Sequence, residues 1–254
     1  MTIQELASAA AILLATTSVG GAATITVSTF DAATYNGAFG ITDNIGEDFE
    51  ALGQSRGEGE VGASLATSVG TFTSLGGTGT GGSVIGTGTQ LALRDGTVFG
   101  RQNVVPLGGS WFLDSNDTWG ISWSLNTGTL FDRVSFVIND ASDVGAFLRI
   151  TAGNDTKELR TGGRLPNGNA RTVEIDFGQA VSSAEITLGN FFTSGGDRFR
   201  LNDGFSIDGI AVASVPDGNE DPAPVPLPAS VLLLGAALGG LGWAGRHRVT
   251  SRKP

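Results

Sequence analysis

Short runs in which polar and apolar residues alternate, each broken by Gly, Asn or Asp, recur along the interior of this chain. Successive side chains of a β-strand point to opposite faces, so alternation with period two marks strands with one buried face. Residues 24–30, 119–125, 131–139, 145–151, 172–177, 184–188 and 205–213 read this way. No interior stretch carries a sustained helical stripe. Gly makes up 40 of the 254 residues, about double ordinary usage. There is no Gly-X-Y period, so a collagen-like fibre is excluded. Residues 53–90 are especially rich in Gly, Ser and Thr. They read as a flexible loop or a string of thin edge strands. Several short strands with frequent turn signals predict an all-β fold for residues 24–214, a two-sheet antiparallel, jelly-roll-like β-sandwich.

The residue inventory then narrows the chemistry. There is no Cys, and the one His is His247, close to the C-terminus. Disulfides, thiol catalysis, Cys-ligated zinc and a Ser-His-Asp triad are excluded from the body. Residues 24–229 hold 11 Lys and Arg against 24 Asp and Glu. Such an acidic body is a poor partner for nucleic acid, because phosphate binding needs a basic patch. What remains is carboxylates, hydroxyls, Arg and a hard metal such as calcium, which takes oxygen ligands. Ester and peptide hydrolysis at neutral pH lacks its natural base here, and no catalytic residue is assigned.

The two ends read as addresses. Residues 6–19 are apolar and lead into the small residues Gly20, Gly21, Ala22 and Ala23. This is the core and cleavage site of a secretory signal peptide over residues 1–23, cut after Ala23, although no basic residue precedes it. A buried first helix is the competing account. At the other end, a polar, Pro-rich linker over residues 215–224 is followed by Val225, Pro226, Leu227, Pro228 and Ala229. Residues 229–245 carry no charge and would span about 25 Å as a helix, the short edge for a bilayer. Trp243 sits near the end of that run, and Arg246, His247 and Arg248 follow at once. The pattern predicts a transmembrane helix with a cytoplasmic basic tail and the body outside.

Val-Pro-Leu-Pro-Ala, a short apolar helix and a basic end resemble the VPLPA variant of the PEP-CTERM sorting signal of exported bacterial proteins. The resemblance covers residues 225–254. It implies export, transient membrane anchoring, recognition at Val225–Ala229 by an exosortase-type processing protease, and a destination at the cell surface or in the exopolysaccharide matrix.

The body carries a fainter resemblance. Asp48-Phe49-Glu50 early in the chain, and Ile207-Asp208-Gly209-Ile210 in the last strand, resemble the frame of carbohydrate-binding jelly rolls. That likeness implies a structural calcium held by Asp48, Glu50 and Asp208, although Gly209 stands where a second Asp is common. Turn-forming hydrogen bonds are the simpler role for these acids, and for Asp114 and Asp117. Trp119 and Trp123 sit at even spacing and share a strand face, in the core or on the surface together. Trp111, after Gly108-Gly109, is the aromatic best placed to stack on a sugar. Glu174 and Asp176 fall on the solvent face of their strand, opposite Val173, Ile175 and Phe177. The function expected is a structural or binding role at the surface, without catalysis. The rivals are a secreted glycoside hydrolase working through Asp and Glu alone, and a calcium-stabilised adhesin. An exposed groove with two facing carboxylates would favour the hydrolase.

Overall fold

The structure is a computed structural model that describes residues 23–39, 44–81 and 84–215. The signal segment up to residue 22, the linker from residue 216, the sorting motif and the apolar tail lie outside the described residues. Along the chain the elements are β1 (Thr24–Thr29), α1 (Ala32–Phe39), β2 (Asn44–Glu47), α2 (Glu50–Arg56), β3 (Gly59–Glu60), β4 (Ser64–Thr67) and β5 (Gly70–Ser74). They continue as β6 (Ala92–Asp95), β7 (Trp111–Asp114), β8 (Gly120–Leu125), β9 (Phe131–Asn139), β10 (Phe147–Ala152), β11 (Asp155–Glu158), β12 (Ala170–Val181), β13 (Ala184–Phe191) and β14 (Ser206–Ser214). All seven segments read from alternation are strands. Residues 53–74 prove to be the end of α2 and the thin strands β3, β4 and β5, whereas the described residues from 75 to 90 form no strand. Among the described residues no helix is long and apolar enough to cross a membrane.

Two antiparallel sheets form. One runs β1-β12-β9-β14-β7-β6-β3, with β2 also paired to β14; the other runs β11-β10-β13-β8-β5-β4. The expected all-β sandwich is therefore present. Alternation decides which face turns inward. On β12, Val173, Ile175 and Phe177 are buried while Glu174 and Asp176 face solvent, as the sequence implies. On β8 the buried face is Ile121, Trp123 and Leu125. Trp119 precedes that strand and is only half-buried, under the guanidinium of Arg200, so it does not share the fate of Trp123.

Trp123 joins the layers. Its ring stacks on Phe72 of β5 at 5.0 Å and meets Phe136 of the opposite sheet edge-on at 5.7 Å. Its indole N–H donates to the Val69 carbonyl at 3.0 Å, which satisfies the one polar atom it carries into the core. Phe72 in turn meets Phe49 at 6.1 Å. Phe49 is fully buried and immediately precedes α2, so the aromatic cluster fixes where that helix starts.

A second, smaller apolar cluster covers the outer face of the larger sheet. Tyr35 of α1 packs with Val105 and Val137 there. This explains why β14 is buried from Ser206 to Val212 instead of alternating. The two short helices are absent from the sequence reading because neither carries a stripe of apolar residues. Asp31 caps the first, its Oδ1 accepting the N–H of Thr34 at 2.8 Å.

Gly209 occupies a break in β14. The strand bulges against β9 between Asp208 and Ala211. On its other edge it changes partner, from β7 at Ile207 to β2 at Ile210. Gly209 has φ +56°, and a Cβ there would stand 2.5 Å from the Val105 Cβ. An Asp at this position would be excluded on both counts. Gly209→Ala is expected to lower the unfolding free energy by about 2 kcal/mol or more, read from the midpoint of urea unfolding.

Candidate functional site

Glu50 and Asp208 meet at one loop, where they share the Asn103 amide, and Asp48 adjoins Glu50. Asp208 is fully buried. Its Oδ2 accepts the N–H groups of Val104 and Val105, at 2.8 and 3.0 Å, and the side-chain amide of Asn103 at 3.1 Å. Its Oδ1 accepts the N–H of Gly209. Glu50 Oε1 accepts the N–H groups of Ser110 and Trp111, at 2.7 and 2.9 Å, and the same Asn103 amide at 3.4 Å. Asp48 Oδ1 accepts the N–H of Glu50. Burial pushes the Asp208 carboxyl well above the usual range, backbone N–H groups pull it down, and the charge of Asp48 adds to the rise. Glu50 and Asp208 fasten the loop 103–111 to α2 and β14. Among the described residues no three His, Cys, Asp or Glu side chains gather as ligands of one ion. A calcium ion held by this trio would have to compete with the backbone donors for the same oxygens.

Asp114 is structural. It is fully buried between Arg94 and Arg101, each 2.6 Å away, and also takes the N–H of Asn116. A buried carboxylate held by two guanidiniums is a network whose members depend on one another. Asp117 takes the N–H of Gly81 at 2.6 Å and the amide of Asn202 at 3.0 Å, tying the glycine-rich segment to the loop before β14.

These ties bound a cavity of about 380 Å³ that sequence reasoning did not find. Asp140 and Asp143, from the turn after β9, line it together with Asp203 from the segment before β14. Asp140 is 3% exposed and Asp203 2%. Burial is the leading cause that pushes each carboxyl up to about 7. For Asp203 the neighbouring charge of Asp143 adds to the rise, and the two carboxyls lie within hydrogen-bonding reach of each other. Asp140 and Ser142 both adopt positive φ, 61°, a conformation that costs a non-glycine residue roughly 1–3 kcal/mol and clusters at functional sites. The sequence signal was an acid-rich turn, Asn139-Asp140-Ala141-Ser142-Asp143, directly after the strongest apolar strand.

Trp111 is not in a loop but opens β7. It is half-buried, and its ring lies where a Cβ on Gly53 of α2 would stand. Stacking on a sugar would require that ring to be shared with the helix. The cavity rim instead offers Phe99, 67% exposed, and Val144, 58% exposed.

No family model and no curated protein matches the chain. Among solved structures it is similar to the K1 cleaved adhesin domain of Lys-gingipain from Porphyromonas gingivalis W83, at 9% identity and a TM-score of 0.36. That match covers 68% of this chain and 98% of the other. A likeness so slight carries no argument about function.

Asp208→Ala leaves the N–H groups of Val104 and Val105 without their acceptor. Each buried donor so orphaned costs roughly 1–3 kcal/mol. Loss of about 2–5 kcal/mol in unfolding free energy is expected, with faster amide exchange at Val104 and Val105 as the local sign.

Proposed function

We propose that this chain is an exported protein of the bacterial cell surface or exopolysaccharide matrix, with a structural or binding role and without catalysis. The layout of residues 215–254 carries the proposal: polar Pro-rich linker, Val225-Pro226-Leu227-Pro228-Ala229, an uncharged run, then four bases and no acid. Motif, span and charge are separate requirements, and all are met in order. Strand β1 begins at Thr24, the residue that would follow cleavage after Ala23, so the leader would end where the sandwich starts. An exosortase-type protease, and a membrane held through residues 229–245, are the processing partners. Exopolysaccharide or another surface polymer is the lasting one.

Pro has no N–H and biases the preceding residue away from helix, so the Pro pair keeps the motif extended for a protease. Replacing both Pro226 and Pro228 with Ala is expected to leave exported protein in the membrane fraction at unprocessed size. Normal release at normal size would remove the sorting proposal.

A second reading has one specific observation in its favour. Asp140 and Asp203 both have carboxyls raised to about 7 in one cavity, and a glycosidase needs an acid that stays protonated at neutral pH. If the chain is not an enzyme, purified full-length protein releases no reducing ends from exopolysaccharide. Turnover that disappears in Asp140→Asn would promote the hydrolase.

A further inference from the structure

The cavity bounded by Asp140, Asp143 and Asp203 is rich in acceptors and poor in donors. Asp203 is almost wholly buried, and its Oδ2 takes the N–H of Ala146 at 3.0 Å. Its Oδ1 is buried with no hydrogen-bond partner. The side-chain oxygen of the adjacent Asn202, which also lines the cavity, is buried and unpartnered as well. The amide nitrogen of Asn202 is already engaged, by Thr78 and Asp117. Every unmatched atom here is an oxygen that can only accept. The cation of the wall, Arg101, bonds Asp114 at 2.6 Å and the Asn116 carbonyl at 3.2 Å, and its charge bears on Asp140 rather than on the Asp143–Asp203 pair.

Two carboxyls within reach of each other, in a cleft of low dielectric, need a positive charge between them. A proton satisfies one pair of oxygens and leaves the Asn202 oxygen unmatched. A divalent cation bound between the carboxylates and the Asn202 oxygen would satisfy all of them. We propose that this cavity is a calcium site, with the carboxylates of Asp143 and Asp203 and the amide oxygen of Asn202 as protein ligands. Asp140, held by the Gly168 N–H at 2.6 Å, adds negative charge beside the ion without being needed as a ligand.

The metal class follows from the donors. They are all oxygen, and the described chain has no Cys and no His to hold zinc. They come from turns and a loop rather than from one rigid element. That suits the irregular shell of six to eight oxygens around calcium better than the strict octahedron of magnesium. The two protein carboxylates would be completed by solvent, as befits extracellular modules that bind calcium with Kd on the order of 0.1–1 mM. The site is distinct from Asp48, Glu50 and Asp208, of which Glu50 and Asp208 are engaged by the loop 103–111. It does not depend on how the chain is sorted.

The experiment is calorimetric titration of detergent-solubilised full-length protein, stripped with chelator, using calcium chloride. Binding with Kd on the order of 0.1–1 mM is expected, with a melting temperature raised by about 2–8 °C at 5 mM calcium. Asp143→Asn should weaken binding tenfold or more and cut the shift in melting temperature by at least about half. Asp48→Asn should leave both unchanged. Asp143 is only half-buried, so its variant remains a fair test where Asp203→Asn fails to fold. Absence of calcium binding in the wild-type protein, or equal affinity in a folded Asp143→Asn variant, overturns the proposal. Binding lost in Asp48→Asn but kept in Asp143→Asn moves the ion to the other cluster and also overturns it.

Discussion

Strand β14 cannot pair evenly along its length, and the carboxyl of Asp208 makes that tolerable. One edge of the strand faces β9 throughout, but the other is shared between β7 and β2. Where the partner changes, backbone groups would be left unmatched in the middle of the larger sheet. Asp208 fills the gap from within, drawing the N–H groups of Val104 and Val105 onto its own side chain. The Gly209 carbonyl is taken by the Tyr35 hydroxyl at 2.6 Å, so α1 is fastened at the same point. A helix, a loop and three strands thus converge on two residues. The core supplies most of the favourable free energy, as in any domain of this size. The order of the larger sheet depends on this one polar junction.

Acidic side chains do the joining throughout the molecule. Glu60 Oε1 takes the N–H groups of Thr87 and Gly88, and Asn116 braces Ile85 and Gln90 from the other side. Long stretches of backbone here have no strand partner, and a buried N–H must find an acceptor somewhere. Carboxylates suit that task because each accepts several bonds and never donates when ionised. The excess of acids therefore has a folded-state use, beyond the solubility it gives the surface. Asp203 differs: one of its oxygens takes the Ala146 N–H, and the other is buried with no hydrogen-bond partner.

Much of the fold was legible in the sequence because one sheet face is buried and the other is wet. Where that holds, as on β12, alternation marks both the strand and its inward residues. On β14 alternation marks the strand but not its inward residues, because covering by Tyr35 and Val105 buries both faces. The helices were hidden for a different reason. Each is short and rests on one or two side chains, Tyr35 or Phe49, so no periodic stripe develops. Their ends were nonetheless written in the chain: Asp31 before Ala32-Ala33 at one, and Glu50 followed by Arg56-Gly57 at the other. The cluster at Asp48, Glu50 and Asp208 could be anticipated from short matching motifs. The cavity could not, because turns far apart in sequence assemble it, and only the topology brings residue 140 beside residue 203.

The pairing of β1 sets an order of events. Thr24 lies opposite Asp176 and Thr29 opposite Arg171, so the first strand has no partner until the chain has extended well past its midpoint. β14, at the centre of the same sheet, comes later still. Contacts this distant along the chain form slowly, and a nascent chain emerging from its first residue can build little of the larger sheet. Strands β3 to β8 can pair among themselves early, but β1 must wait for β12. Were the chain exported unfolded, as proposed above, late closure of the larger sheet would leave its first strand free to be pulled through a narrow channel.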